Sequence, residues 1–157
     1  MSLKAKDIMT PNVVCVREDT TTSKLVEVLH ANRISGVPVL DSRHHLIGVV
    51  SISDILFNSE AFGDNPLLHS EFHRTHHEDA DDVVWDELIE VELEDHDVRD
   101  IMSTSPITAN AETAIPDIAE MMLANRVHRI IIESDNQIAG IVSTTDFLKA
   151  VERKLIS

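Results

Sequence analysis

The strongest constraint on the fold is that the sequence repeats itself. Residues 7–56 align with residues 100–148 at an offset of 93 positions, which falls to 92 after one gap near His45, and 13 of the aligned residues are identical. Unrelated sequences would share about three identities over this length. The matches include Asp-Ile-Met at the start of each copy, Ala-Asn-Arg in the middle and Gly-x-Val-Ser-x-x-Asp near the end. The duplication predicts a fold built from two similar units.

Each copy shows the same predicted order of elements: a helical turn, a strand, a helix, two strands joined by a polar turn, and a final helix. The first long helix runs from about Thr22 to Asn32, with apolar residues at helical spacing. Its counterpart carries the same apolar stripe, formed by Ile115, Ile118, Met121 and Met122. The strand pairs are GVPVLD with LIGVVS, and HRIIIES with IAGIVS. We therefore predict an α/β fold of two pseudo-symmetric β-α-β-β-α units, packed sheet to sheet, with related clefts at their seam.

A strongly acidic segment separates the copies. We predict a first copy over residues 1–57, an insert with histidines over residues 58–97, and a second copy over residues 98–157. The insert holds 14 of the 28 acidic residues and one of the 13 basic ones. The formal charge of −15 disfavours binding to nucleic acid or to an anionic membrane. Because that charge resides in the insert, the copies can still accept a ligand that bears phosphate.

The chain lacks the segments that direct a protein into or across a membrane. No apolar run approaches the roughly 20 residues that span a bilayer, and the N-terminus has no apolar signal-peptide stretch. We therefore predict a cytoplasmic location without membrane insertion. Cys15 is the only cysteine, so an intrachain disulfide is excluded, and its apolar neighbours predict a buried, unreactive thiol.

The sharpest local pattern stands at the end of the last strand in each copy. Ser51-x-x-Asp54 and Ser143-x-x-Asp146 match the capping box, in which a serine and an acid three residues later bind the free N–H groups of a helix start. The same groups suit a ligand, since such helix starts bind phosphate and a carboxylate can accept the hydroxyls of a ribose. The pattern alone leaves both interpretations open.

Taken in order, the repeated motifs resemble a tandem pair of CBS motifs, the regulatory unit called a Bateman module, in its stand-alone bacterial-type form. The motifs that carry the resemblance are Asp-Ile-Met followed by Ser or Thr, Gly36-Val37-Pro38-Val39, His128-Arg129-Ile130-Ile131 and the two Gly-to-Asp ends. The resemblance implies a non-catalytic sensor that binds AMP, ADP, ATP or S-adenosylmethionine as a regulatory ligand. It further implies signalling by conformational change, a homodimer, and an effector protein outside this chain.

The resemblance also assigns residues to the ligand. Asp54 and Asp146 would hold the ribose hydroxyls. The residues expected to face ribose or phosphate are Ser51, Ser53, Ser143 and Thr145. Those expected to border the adenine are Val37, Pro38, Ile130 and Ile131, and the other side of each cleft would be closed by Val14 and Thr108.

The two clefts are not equivalent in charge. His128 and Arg129 match the position where family members that bind phosphorylated adenosines carry basic side chains, whereas the first copy has Ser35 and Gly36 there. A guanidinium pairs with phosphate through two hydrogen bonds. The copy-two cleft is therefore expected to take the phosphorylated ligand, although it has Ile131 where the first copy keeps the family's proline.

Two other functions fit parts of the sequence. Four histidines of the insert stand at i, i+4, i+7 and i+8, namely His69, His73, His76 and His77. On one helix they would share a face able to bind zinc, nickel or copper, although a solvated insert with chance histidines explains the same spacing. The stretch lacks the His-Glu-x-x-His order of a zinc hydrolase. The other alternative is a dimerisation or adaptor module with empty clefts, whose acidic insert binds a basic partner.

Overall fold

The computed structural model describes residues 2–58 and 95–156, which divide into two compact units. The first unit comprises Val14–Ser105, and the second unit combines Met1–Val13 with Pro106–Ser157. In chain order the helices are α1 Ala5–Ile8, α2 Thr22–Asn32, α3 Ile52–Phe57, α4 Val98–Ile101, α5 Ile115–Asn125 and α6 Thr144–Glu152. The strands are β1 Val16–Arg17, β2 Gly36–Leu40, β3 Leu46–Ser51, β4 Thr108–Asn110, β5 Arg129–Ser134 and β6 Gln137–Ser143.

Each unit contains one three-stranded sheet with the same topology. In the first sheet β1 lies parallel to β2, and β2 pairs antiparallel with β3. The second sheet repeats this arrangement with β4, β5 and β6. The predicted β-α-β-β-α order and the α/β class are confirmed. The packing of sheet on sheet stays a prediction.

The repeated Ala-Asn-Arg sequence ends the first long helix of each copy. The side-chain amides of Asn32 and Asn125 donate to the carbonyls four residues earlier, at 2.7 and 2.8 Å. Arg33 and Arg126 then adopt left-handed backbone conformations with φ of 52° and 55°. The left-handed residue turns the chain out of the helix and lets its N–H satisfy a free carbonyl. These identities of the repeat are therefore explained by helix termination.

The segment that begins each copy packs on the sheet of the other copy. We call these segments, residues 2–13 and 98–105, the exchanged segments. Thr10, which follows α1, exchanges backbone hydrogen bonds of 2.8 and 3.0 Å with Ile141 of β6. Ser103, which follows α4, does the same with Val49 of β3 at 2.9 Å each way. The compact units are thus divided after residues 13 and 105. The boundaries at residues 57 and 98 follow the sequence repeat and stay a prediction.

Two glycines make this exchange possible. A Cβ atom at Gly140 would lie 2.7 Å from Sδ of Met9 and 2.8 Å from the carbonyl oxygen of Thr10. At Gly48 it would lie 2.5 Å from the carbonyl oxygen of Ser103 and 2.9 Å from Sδ of Met102. Any side chain would displace the exchanged segment, so the glycines recur in the repeat because backbone approaches them closely.

Candidate functional site

The carboxylate of Asp146 is fixed at the start of α6. Its Oδ2 accepts a hydrogen bond of 2.8 Å from the backbone N–H of Ser143 and another of 2.8 Å from the Ser143 hydroxyl. The predicted capping box is present, and the Asp146 side chain is buried, with the residue only 6% exposed. The two hydrogen bonds from Ser143 therefore fix the direction of the Asp146 carboxylate.

The second oxygen of this carboxylate faces the exchanged N-terminal segment. The Thr10 hydroxyl donates to Oδ1 of Asp146 at 3.2 Å. A carboxylate offers about four acceptor positions, so the three donors leave about one open. The Thr10 hydroxyl is an exchangeable partner because Thr10 itself is exposed.

A cavity of about 220 Å³ opens beside Asp146 within the same unit. Its polar wall includes two cations, Lys149 and Arg153, and two acids, Asp7 and Asp146. The remaining lining residues are Ile8, Met9, Thr10, Pro11, Ala150 and Leu155. The cavity is therefore bounded by α1 and the residues that follow it on one side and by α6 on the other.

The sheet of this unit separates the predicted residues onto two faces. Arg129 is paired with Ser143, and Thr108 with Ile131, so these four side chains share one face. Ile130 lies on the opposite face and is fully buried in the hydrophobic core. Only its backbone groups can therefore meet a ligand on the face of Ser143.

His128 and Arg129, the basic residues predicted to contact phosphate, do not line this cavity. Arg129 is half-buried, and burial lowers the pKa of its guanidinium below the usual value. Both His128 and Arg129 already interact with other groups of the protein. Thr145 is exposed at the start of α6.

The first copy holds a similar carboxylate, Asp54, which is half-buried, whereas Asp146 is buried. Oδ2 of Asp54 accepts from the backbone N–H and the hydroxyl of Ser51 at 2.8 and 3.1 Å. Ser51 and Ser53 are buried, with 1% and 5% exposed. Pro38 shares the sheet face of Ser51, whereas Val37 lies on the core face.

The remaining predicted positions of the first unit lie in or near its core. Val14 precedes β1 and packs against the core of its unit. Burial raises the pKa of the Cys15 thiol to about 11, which disfavours the reactive thiolate.

Sequence reasoning did not assign Thr10, Lys149 and Arg153 to a site. The Asp-Ile-Met-Thr motif gave a signal for Thr10, but its partner Asp146 is 136 positions away. Lys149 and Arg153 follow Asp146 at i+3 and i+7, which places them on its face of the helix.

The histidines proposed as metal ligands, His69, His73, His76 and His77, lie outside the described residues. Within residues 2–58 and 95–156 no group of three or more His, Cys, Asp or Glu side chains is arranged to hold a metal ion. In the same part of the chain, no helix combines the length and the apolar character needed to span a bilayer.

Comparison with known families identifies both copies. A family model described as the CBS domain matches residues 5–60 and 98–153. Over 53 residues the chain is 42% identical to inosine-5'-monophosphate dehydrogenase of Methanocaldococcus jannaschii, which involves 34% of this chain and 11% of that enzyme. It is 28% identical to the protein of the same archaeon named Uncharacterized protein MJ1426, over 93% of this chain and 89% of MJ1426. The chain thus spans about a tenth of the dehydrogenase but most of MJ1426.

Solved structures share the fold along nearly the whole chain. CBSX2 in complex with AMP, a protein of Arabidopsis thaliana, has a TM-score of 0.68 at 24% identity and covers 98% of both chains. The CBS domain pair of protein MJ0100, in complex with 5'-methylthioadenosine and S-adenosyl-L-methionine, has a TM-score of 0.65 at 15% identity. It covers 98% of this chain and 99% of that one. At these identities the likeness shows the fold.

Proposed function

The chain belongs to the CBS-domain family, and we propose that it is a non-catalytic regulatory module whose Asp146 binds the ribose hydroxyls of an adenosine nucleotide. The family match supports a regulatory CBS pair. The complexes of CBSX2 with AMP and of MJ0100 with S-adenosylmethionine support an adenosine-containing ligand. The particular ligand and the signalling step belong to the proposal.

The observation that carries this proposal is the Asp146 carboxylate at the wall of a cavity. A ribose presents two adjacent hydroxyls, which a single carboxylate can accept together. Oδ2 is held by Ser143, so the diol approaches through the open position and the position that Thr10 occupies at 3.2 Å. Ligand binding thus exchanges one internal hydrogen bond for two bonds to the ribose.

This exchange supplies a signal. Thr10 belongs to the exchanged segment that begins with α1, and its hydroxyl contacts Asp146. A ligand shifts an equilibrium between two states only by its difference in affinity for them. Because the ligand competes with the Thr10 hydroxyl, it favours the state in which this segment is released from Asp146. An effector protein that contacts the segment would detect the change.

The two carboxylates differ in what surrounds them. Asp54 follows the buried residues Ser51 and Ser53, whereas Asp146 lines a cavity together with two cations, Lys149 and Arg153. The phosphorylated ligand is therefore assigned to Asp146, and Asp54 to a second, weaker adenosine site. The phosphate contacts of His128 and Arg129 stay predictions.

The homodimer belongs to the proposal as well. The apolar stripe of α5 could have supplied the dimer contact, but Met122 is buried in the core of its own unit and Met121 packs against that core. Leu123 of α5 and Leu148 of α6 are apolar and exposed, at 81% and 69%. Sedimentation equilibrium with and without AMP measures the mass and any change on binding.

Calorimetric titration tests the nucleotide function. AMP, ADP, ATP and S-adenosylmethionine are titrated into protein stripped of bound ligand and metal. The comparison includes Asp146→Asn, Asp54→Asn and the double variant, since asparagine keeps a capping oxygen and so preserves the helix start. We expect Asp146→Asn to abolish the tighter binding event and Asp54→Asn to leave it.

Two outcomes would overturn the nucleotide function. One is that the double variant binds as the wild type does. The other is that no ligand binds at millimolar concentration, which would favour the adaptor module with an acidic partner-binding insert. Zinc and nickel titrations of the wild type and of His73→Ala decide the metal alternative.

A further inference from the structure

Two cations lie on the side of α6 that carries Asp146: Lys149 within the helix and Arg153 directly after its end. Lys149, Ala150 and Arg153 follow Asp146 at i+3, i+4 and i+7, which is the spacing of one helix face. All four residues line the 220 Å³ cavity. Lys149 and Arg153 are exposed, so their head groups can reach a ligand there without rearrangement of the core.

The acids of the cavity accept hydrogen bonds from the chain, whereas its two cations form no ion pair within the part of the chain that the structure describes. Oδ2 of Asp7 accepts from the backbone N–H of Lys4 at 2.8 Å. Asp146 accepts from Ser143 and Thr10. The ion pairs within residues 2–58 and 95–156 include neither Lys149 nor Arg153. The two carboxylates cancel the two cations in formal charge, so a phosphate is favoured there by direct pairing with Lys149 and Arg153 and not by the net charge of the cavity.

The size of the cavity limits what it takes. At about 220 Å³ it is smaller than the range of roughly 300 to 1,000 Å³ that encloses a whole drug-sized ligand. It suits a fragment such as a phosphate with the adjoining sugar. Since Asp146 forms part of its wall, a ribose bound by that carboxylate brings its phosphate within reach of the cations.

We propose that Lys149 and Arg153 form the phosphate subsite of this module and make it select phosphorylated adenosines over adenosine. The subsite rests on the proposed function, because it assumes a ribose at Asp146. Arg129 does not line the cavity and is already engaged elsewhere. In this proposal the discrimination comes from the two cations of the cavity, and a phosphate contact by His128 and Arg129 is the alternative that the test decides.

The test compares ligands that share a ribose and differ in phosphate. Adenosine, AMP and ATP are titrated into the wild type, Lys149→Gln/Arg153→Gln, and Lys24→Gln/Lys154→Gln as a control with the same loss of charge. Arg129→Gln is measured in parallel, all at low ionic strength, because salt screens exposed charges. We expect the Lys149/Arg153 variant to lose about 10-fold or more in affinity for AMP and ATP, and adenosine binding to stay within about twofold.

The outcomes separate the subsite from the ribose site. If the Lys149/Arg153 variant binds AMP and ATP like the wild type, or if only Arg129→Gln weakens them, the subsite is overturned and the nucleotide function stands. An equal loss of adenosine and AMP affinity also overturns it, because phosphate would not be the group recognised. If the wild type binds none of the three ligands, both proposals fail together.

Discussion

The Thr10 hydroxyl donates a hydrogen bond of 3.2 Å to Oδ1 of Asp146, so the start of the first repeat contacts the last helix of the second. This bond joins the candidate ligand carboxylate to the exchanged segment. A ribose hydroxyl that takes the position of the Thr10 hydroxyl on Oδ1 would displace it. In the proposed function, this competition would couple ligand occupancy to the position of the segment.

Thr10→Val tests this competition. Valine keeps the shape of threonine but removes the donor, so a ligand no longer has to displace a hydroxyl from Oδ1. We expect AMP to bind about fivefold more tightly, corresponding to about 1 kcal/mol. Titration calorimetry measures the change, and Ser103→Val, at the equivalent position in the other unit, is the control expected to leave this site unaltered. Weaker binding by Thr10→Val would instead make Thr10 a ligand contact.

The contact between Thr10 and Asp146 shows what local sequence can and cannot provide. The bounds of α2, Thr22 to Asn32, were predicted from helical spacing and are confirmed, because its apolar stripe and its ends are encoded within the helix. The capping boxes at Ser51 and Ser143 are also local, and both form. A bond between residues 136 positions apart depends on which sheet receives the N-terminal segment, and no local pattern specifies that choice.

The cations of the cavity illustrate a second limit. Lys149 near the end of α6 and Arg153 just after it are ordinary residues for the last turn of a helix, where positive charge is favourable. The sequence shows that both cations share a helix face with Asp146. It does not show the opposite wall of the cavity, which is formed by residues 7–11 of the exchanged segment. A site becomes visible only when both walls are known.

Gly140→Ala tests whether the exchanged segment needs a glycine beneath it. The added methyl would meet the Thr10 carbonyl at 2.8 Å, which forces the backbone of residues 9–11 outward. We expect a loss of about 1–3 kcal/mol in the free energy of unfolding, typical of overpacking, and weaker bonding of Thr10 to Asp146. Urea denaturation measures the first effect.

Gly48→Ala is the matched change in the other unit, where the methyl would meet the Ser103 carbonyl at 2.5 Å. A loss of similar or larger size is expected there. If both variants unfold at the wild-type urea concentration, the exchanged segments do not rest on these glycines.

Glu112 should make stability depend on acid pH. Its carboxylate accepts hydrogen bonds from the side chains of Lys4 and Lys6, and these lower its pKa from 4.5 to about 2. A lowered pKa means that the contribution is present above pH 4.5 and is lost as the pH falls from 4.5 towards 2. We expect Glu112→Gln to melt slightly below the wild type at pH 7, because exposed ion pairs contribute little to stability, and the difference to shrink as the pH falls from 4.5 towards 2. Thermal melts across this range measure it.

Two controls accompany the Glu112 melts. Glu120→Gln removes an exposed carboxylate from α5 that forms no ion pair with the described residues, and its melting temperature should follow the wild type at every pH. Added salt should reduce the effect of Glu112→Gln, because the paired groups are exposed. A difference that persists unchanged at pH 2 would assign the loss to packing and not to the ion pairs.

Asp95 binds the first turn of α2. Its Oδ1 accepts from the backbone N–H and hydroxyl of Ser23 at 3.1 and 2.6 Å, and from the hydroxyl of Thr22 at 3.3 Å. These donors belong to the first turn of α2, whose N–H groups have no partner within the helix. They also lower the pKa of Asp95, with the Ser23 hydroxyl as the largest cause.

Asp95→Ala, which removes the acceptor oxygen, should therefore weaken the start of α2 while leaving the proposed ligand site of the other unit intact. We expect faster hydrogen exchange at the Ser23 amide, a melting temperature lower by a few degrees at neutral pH, and unchanged AMP affinity. Asp97→Ala is the control with the same truncation and loss of charge, since the Asp97 side chain does not cap its helix and pairs only with exposed Arg99 among the described residues. Because the pKa of Asp95 is lowered, its contribution is present above pH 3.8 and is lost as the pH falls below that value. Equal exchange at Ser23 in both variants would show that the helix start does not depend on Asp95.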